Sequence, residues 1–322
     1  MRNFNYGRLK EVRWDSEVLG LVAQIHEYKG KQMLFLRQKP ATLEKLVEIA
    51  KIQSTEASNK IEGIVTTATR IKQLCEQKTT PRNRDEEEIS GYRDALALIH
   101  ESYEYIPIKP SYILQLHQVL YRYSQKGIGG RFKNTQNYIA EIKESGEQYV
   151  RFMPLEPFET PMAIEAICDS FNREMDVCEI DPLILIPAFI VDFLCIHPFN
   201  DGNGRMSRLL TTLLLYRAGY VVGKYVSLES KIEKTKDSYY DALEKSDIDW
   251  HREGNDITPF IKYILGTILA AYRDFEERVT IVEGKVTTID LVRKAVGNTI
   301  GKFTKNDIME YVPSVSKASV EN

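Results

Sequence analysis

One twelve-residue stretch, His197-Pro198-Phe199-Asn200-Asp201-Gly202-Asn203-Gly204-Arg205-Met206-Ser207-Arg208, gathers residue types that suit chemistry on a polyphosphate. His197 can be neutral near pH 7 and take a proton from an attacking hydroxyl. Asp201 offers hard oxygen to Mg²⁺, an ion that takes one or two carboxylates and completes its shell with water and substrate phosphates. Gly202 and Gly204 let a phosphate approach the backbone closely, as in an anion-binding nest. Arg205 and Arg208 lie three apart on one helix face, and a guanidinium fork matches phosphate oxygens in pairs. Each residue also has a plainer reading: a His beside Pro is commonly structural, Asp-Gly-Asn-Gly is a turn, and paired arginines are a solvated face. Order and spacing together favour the chemical reading.

The elements around this stretch follow from local signals. Pro198 disfavours helical geometry at the residue before it, so an incoming helix should end at His197. Met206, Leu209, Leu210, Leu213 and Leu214 recur at helical spacing, with Gly219 as a stop. The loop is therefore expected at a helix N-terminus capped by Asn203, where free N–H groups and the positive dipole end attract anions. Upstream, apolar residues at 43, 46, 47, 49, 50 and 52 predict an amphipathic helix stopped by Gly63. That places Glu62 in a last helical turn, where the dipole disfavours a carboxylate unless a cation elsewhere meets it. Tyr138–Ile142 and Gln148–Phe152 are β-prone runs around a Lys-Glu-Ser-Gly-Glu loop, the pattern of a hairpin. Such a hairpin is marginal in a helical chain unless it packs on something. Trp250 and His251 are expected to be packing residues.

The stretch at 197–208 resembles the signature of the Fic family, His-x-Phe-x-Asp/Glu-Gly-Asn-Gly-Arg-x-x-Arg, with every specified position filled. Gly204 stands where the related Doc-type kinases carry Lys, which implies nucleotidyl rather than phosphoryl transfer. The resemblance implies a mainly α fold: a Fic-type helical core with a β-hairpin flap, a helical N-terminal region and a partial winged-helix-like tail. It implies transfer of AMP from ATP, with Mg²⁺, to a Ser, Thr or Tyr hydroxyl of a target protein, self-modification included. His197 would be the general base and Asp201 the Mg²⁺ ligand. Gly202, Asn203 and Gly204 would hold the phosphates, Arg205 the phosphate chain and Arg208 the γ-phosphate. Ser58-x-x-x-Glu62-Gly63 resembles the family's inhibitory motif, Ser/Thr-x-x-x-Glu-Gly/Asn, whose Glu would pair with Arg208 and restrain transfer. Tyr239 and Tyr240 resemble a Tyr-Tyr pair that lines the nucleotide pocket, and the hairpin resembles the flap that holds the target by strand addition. Gly130-Arg131-Phe132-Lys133 resembles a segment that commonly ends in Arg, so Lys133 departs from the pattern. Family members often pair, which allows a homodimer.

Composition narrows the remaining classes. The chain has 322 residues and a formal net charge of −3, which makes no electrostatic case for nucleic acid or a membrane surface. Cys75, Cys168, Cys178 and Cys195 show no Cys-x-x-Cys or zinc spacing, and three of the four lie in expected buried helices, so reduced core thiols are expected. The N-terminal residues lack a signal-peptide core, and the apolar run near Leu183–Ile196 is too short to span a bilayer, so a soluble cytoplasmic protein is expected. Three parts are expected: a helical region at 1–100 carrying Glu62, a catalytic domain at 101–275, and a winged-helix-like tail at 280–322. The charged Lys78–Glu88 stretch is expected to include a surface loop. The tail ends before a wing could form, which favours a docking role over a DNA reader. Two alternatives stand beside AMP transfer. One is AMP removal or transfer of another phosphate-containing group on the same scaffold. The other is a non-catalytic sensor of ATP or DNA.

Overall fold

The computed structural model describes residues 2–38, 40–77, 79–142 and 148–283, together with 304 and 309. The hairpin loop at 143–147 and, past 283, all of the tail except Thr304 and Met309 lie outside the described residues. In chain order the elements are α1 (Ser16–Gln38), α2 (Pro40–Ile61), α3 (Ala68–Glu76), α4 (Arg84–Ser102), α5 (Pro110–Leu120), β1 (Ile139–Ile142) and β2 (Gln148–Phe152). They continue with α6 (Thr160–Val177), α7 (Pro182–Ile196), α8 (Asn203–Arg217), α9 (Leu228–Lys234), α10 (Lys236–Asp247) and α11 (Thr258–Glu283). The fold is mainly helical, with one small antiparallel sheet among the described residues.

Two helices form its axis. Pro182 opens α7 at its first position, and the Asp181 carboxylate caps it by accepting from Leu183 N at 2.8 Å. All but one residue from Leu183 to Ile196 is buried, so α7 is a helix surrounded by core rather than an amphipathic one. Its one charge, Asp192, accepts from the Trp250 indole N–H at 2.7 Å and lies 3.6 Å from Arg2 Nε. Burial nevertheless raises the Asp192 pKa. In α8 the predicted stripe of Met206, Leu209, Leu210, Leu213 and Leu214 is buried. So are Arg205, Ser207, Arg208, Thr211 and Thr212 on the other faces. Gly219 takes a positive φ of 83° after the helix, as expected of its stop.

Among the described residues one large apolar cluster runs from Phe4 to Val279, so α1, α2 and α4 share a core with the central helices, while Ile71, Leu74 and Ile89 form a smaller cluster that seats α3. α2 is sunk into the large cluster through Leu43, Leu46 and Ile61. Between α3 and α4 the charged stretch behaves differently from a wholly exposed loop. Residues 79–83 are non-helical, but α4 begins at Arg84, and Glu86 and Glu88 are buried in its first turns. They are tolerated there because Arg70 Nη2 meets Glu86 at 2.6 Å and Arg205 Nη2 meets Glu88 at 2.8 Å.

The hairpin forms where the alternating pattern predicts it, with Ala140 opposite Val150 and an irregularity beside Ile139. It is not left to stand unsupported. Phe152 is buried against Trp250, and Arg151 Nη1 reaches both carboxylate oxygens of Asp247 on α10, at 3.0 and 2.8 Å. Trp250 is fully buried, whereas His251 is an exposed ring stacked on Phe152. All four cysteines are free; Cys168 and Cys195 are buried, Cys75 is half-buried and Cys178 is exposed.

Candidate active site

The 197–202 loop joins the ends of the two axial helices. His197 ends α7 as predicted, but in the left-handed region at φ 51°, a conformation that a Cβ penalises and that surrounding contacts must hold. Its Nδ1 lies 3.2 Å from the Leu194 carbonyl. A carbonyl can only accept, so that nitrogen carries the proton and Nε2 is left with its lone pair. Burial lowers the His197 pKa to about 4, so the ring is neutral at physiological pH.

The expected Asn203 cap is corrected by the geometry. Gly202, at φ 86°, is the N-cap residue of α8, and no side chain caps the helix. Asn203 sits in the first helical position and turns backward: its Oδ1 accepts from Phe199 N at 2.9 Å and its Nδ2 donates to Phe199 O at 2.8 Å. Closing the loop is the stronger demand, because the buried Phe199 amide groups have to be paired somewhere. Asn137 Nδ2 adds a bond to Phe199 O at 3.0 Å, and Lys133 donates from its backbone to Pro198 O and from Nζ to Ile196 O. Lys133 thus spends its ammonium on loop backbone and on Asn137, and burial lowers its pKa to about 8.

His117 on α5 is a further brace that the sequence did not signal. Its Nδ1 accepts from Gly130 N at 3.1 Å, which leaves Nε2–H to donate to the Asp201 carbonyl at 3.1 Å. Its ring stacks on Phe199 at 3.7 Å between centroids. Burial lowers its pKa to about 4, consistent with a neutral ring.

A cleft of about 320 Å³ opens over this loop. Polar walls come from Glu62, His197, Asp201, Gly204 and Arg208, and apolar walls from Ile139, Leu194, Tyr240 and Leu243 among others. Gly202, Asn203 and Tyr239 also line it. Tyr239 is buried and Tyr240 is 42% exposed, their rings 5.3 Å apart. Arg205 does not line the cleft. It lies behind the loop, 1% exposed, with Nη2 2.8 Å from Glu88 Oε2 and 2.8 Å from the Tyr121 hydroxyl.

α2 reaches the same cleft from the far side of the chain. Arg208, 3% exposed, donates from Nε to Ser58 Oγ at 2.8 Å, and from Nη2 to Ser58 O at 2.9 Å and Glu62 Oε1 at 2.7 Å. Glu62 lies just beyond the last residue of α2 rather than in its last turn, and Gly63 follows at φ 76°. A Cβ placed on Gly204 would fall on Glu62 Oε1, so the missing side chain at 204 is what admits Glu62 to the cleft. Ser58 and Gly63 are not walls of the cleft; Ser58 is fully buried behind it.

Asp201 carries the remaining chemistry. Lys126 Nζ sits 2.5 Å from its Oδ2 and Arg205 Nη2 3.8 Å from its Oδ1. Burial alone would raise its pKa, but Lys126 first and then Arg205 outweigh it and hold the carboxyl below its usual range. Among the described residues no group of three or more His, Cys, Asp or Glu could hold a metal. An all-protein metal centre is therefore a poor fit. One ionised carboxylate in the wall of an anion-binding cleft does fit a Mg²⁺ that arrives with phosphates, since such ions use one or two protein oxygens.

Residues 107–215 match the Fic/DOC family. The chain carries a Fic domain. The protein adenylyltransferase fic-1 of Caenorhabditis elegans is 27% identical over 184 residues, covering 56% of this chain and 32% of that protein. The protein adenylyltransferase Fic of Culex quinquefasciatus is 26% identical over 234 residues, covering 70% of this chain and 41% of its own. The chain thus spans about a third to two fifths of the length of these curated relatives. A Fic family protein from Desulfovibrio desulfuricans G20 superposes with a TM-score of 0.67 at 23% identity, over 96% of this chain and 88% of its own. A fragment of Fic-1 from C. elegans does so at 0.66 and 20% identity, over 82% and 73%. The 197–202 loop, α8 as far as Leu215 and both hairpin strands fall inside the matched residues, whereas Glu62, Tyr239 and Tyr240 come to the cleft from outside them.

Proposed function

We propose that the protein is an autoinhibited protein adenylyltransferase that moves AMP from ATP to a hydroxyl of a target protein. The observation that carries this reading is one shared cleft. It holds a neutral His197 with a free Nε2, the Asp201 carboxylate, an uncapped helix N-terminus at Gly202–Gly204 and the Arg208 guanidinium. In this reading His197 Nε2 takes the proton of the target hydroxyl, whose oxygen forms a bond to the α-phosphorus of ATP. The bond from that phosphorus to the bridging oxygen breaks, and pyrophosphate leaves. Positioning and charge stabilisation supply most of the rate. Gly202 and Gly204 expose backbone N–H groups to the phosphates, and Arg208 takes the γ-phosphate. Mg²⁺, held at Asp201 with the nucleotide, would neutralise charge on the phosphate chain. The hairpin would hold a target segment beside His197 by strand addition.

Autoinhibition follows from the Glu62–Arg208 pair. A carboxylate 2.7 Å from the guanidinium occupies the fork that a γ-phosphate needs and repels it besides. The resting state is therefore expected to transfer slowly. No helix among the described residues is long and apolar enough to cross a membrane.

The test is intact-mass analysis of wild type, Glu62→Gly and Glu62→Gly/His197→Ala after incubation with Mg²⁺ and ATP. An AMP adduct that is strongest in the single variant and absent from the double variant is the expected result. Equal adduct in the double variant would overturn the assignment of His197. Adduct that is as strong in wild type as in Glu62→Gly would overturn the restraint.

A further inference from the structure

Beneath the loop, four charged side chains from three separate segments close into a ring of alternating sign. Asp201 Oδ2 lies 2.5 Å from Lys126 Nζ, and Lys126 Nζ lies 3.0 Å from Glu88 Oε1. Glu88 Oε2 lies 2.8 Å from Arg205 Nη2, which lies 3.8 Å from Asp201 Oδ1. Half of the ring is core: the side chains of Glu88 and Arg205 are each 1% exposed. The other half faces solvent, with Lys126 28% and Asp201 41% exposed. Both oxygens of Asp201 therefore already face a cation, and the nearer one, Lys126, is the more exposed of the two.

We infer that Lys126 is a positioning residue for the nucleotide's metal: a resident counter-cation of Asp201 that yields Oδ2 when a divalent ion arrives. The inference rests on Asp201 being the metal carboxylate of the proposed function. Lysine is suited to the exchange. Its ammonium is a compact point charge on a flexible four-carbon stem, unlike a planar guanidinium locked in a core. Glu88 Oε1, 3.0 Å away, gives it a partner to keep when it leaves Asp201, so no charge is stranded. Arg205 has no such freedom, because its guanidinium is buried between Glu88 and the Tyr121 hydroxyl.

Lys126 then competes with the metal for one oxygen, and its retained charge stays close enough to oppose a second cation. Removing that charge should tighten metal binding, because Asp201 keeps its place by other means. Its carbonyl is held by His117 Nε2 at 3.1 Å, and Gly202 anchors the following residues to α8.

The test measures the affinity of a non-hydrolysable ATP analogue by calorimetry over a series of Mg²⁺ concentrations, in parent, Lys126→Met, Lys126→Arg and Asp201→Asn proteins. A circular-dichroism melt establishes that each variant is folded. In Lys126→Met, half-maximal enhancement of nucleotide affinity is expected at about five-fold less Mg²⁺, the equivalent of an exposed ion pair worth about 1 kcal/mol. Lys126→Arg, which keeps the charge, should follow the parent, and Asp201→Asn should lose the enhancement. If Lys126→Met needs as much Mg²⁺ as the parent, or more, while Asp201→Asn has lost the dependence, the role of Lys126 is overturned and the metal assignment stands. If Asp201→Asn matches the parent, Asp201 is not the metal ligand and both fail.

Discussion

Replacing Glu62 by Gly should make the protein less stable and more active at once, and the opposed signs are the useful part. In the resting structure Glu62 Oε1 accepts from a guanidinium that is 3% exposed, while the carboxylate itself is 31% exposed. A fully buried pair that loses one partner is destabilised by about 3–5 kcal/mol. Solvent reaches a third of Glu62, and Arg208 keeps both Ser58 contacts, so the cost here should be nearer about 1–2 kcal/mol. For a chain of this size that is a melting temperature lower by a few degrees, roughly 2–4 °C for each kcal/mol. The same Arg208 becomes available to a γ-phosphate, and a gain of about 1.4 kcal/mol would tighten nucleotide about tenfold. Thermal melts with and without an ATP analogue, together with calorimetric titration, measure both effects. Glu62→Gln serves as a control that keeps the shape and removes the charge, so glycine flexibility at the helix end can be separated out. A variant that melts no lower without nucleotide and binds the analogue no tighter would refute the reasoning, because the pair would then neither stabilise the resting state nor compete with phosphate.

Gly202→Ala should destabilise by about 1–3 kcal/mol, because φ is 86° there and the new Cβ would lie 2.9 Å from the Tyr121 ring. An unchanged melting temperature would show that the loop does not need this backbone shape. The histidines predict an acid limb. His100, His117 and His197 are pushed down by burial to about 3, 4 and 4, against about 6.5 in an unfolded chain. As pH falls the unfolded state binds protons first, so their contribution is full above about 6.5 and is lost toward pH 4. Melting temperature should therefore decline between pH 7 and 5, and His117→Gln should flatten that decline; equal slopes would contradict a buried neutral His117.

What the sequence could convey was local. The turn at 201–204, the leucine stripe of α8, the end of α7 and the two strands each depend on a few neighbouring residues, and each was legible. The ring of Asp201, Lys126, Glu88 and Arg205 was not, because it joins positions 88, 126 and 201–205 through tertiary packing. The same is true of His117, whose stacking on Phe199 has no counterpart in spacing. The reading of Arg205 as a contact to the phosphate chain came from the resemblance and took no account of what packs on that face of α8. In α8 every face is buried, so an arginine there must meet a buried carboxylate. The charged 78–88 stretch does include a non-helical loop at 79–83, but the burial of Glu86 and Glu88 beyond it depends on partners, Arg70 and Arg205, that spacing does not reveal.

The position of the proposed restraint decides how it would be lifted. α2 is held by Leu43, Leu46 and Ile61 in the common core, and by Ser54 donating to the buried Glu229 carboxylate at 2.7 Å. Expelling the helix would expose several such side chains, at roughly 1.5–3 kcal/mol for each large one, and would strand Glu229 without the Ser54 bond. Moving Glu62 alone costs only its contact with Arg208. It lies beyond the helix end, before a glycine at φ 76°, with a third of its side chain in solvent. Between these two routes the smaller cost wins, so release should be a side-chain event with α2 left in place. Arg208 then serves in both states, tied to Ser58 throughout and exchanging only Glu62 for phosphate. In the proposed mechanism nucleotide and Glu62 compete for a single guanidinium, so a ligand that draws Glu62 outward should raise nucleotide affinity by the same factor by which nucleotide raises the affinity for that ligand.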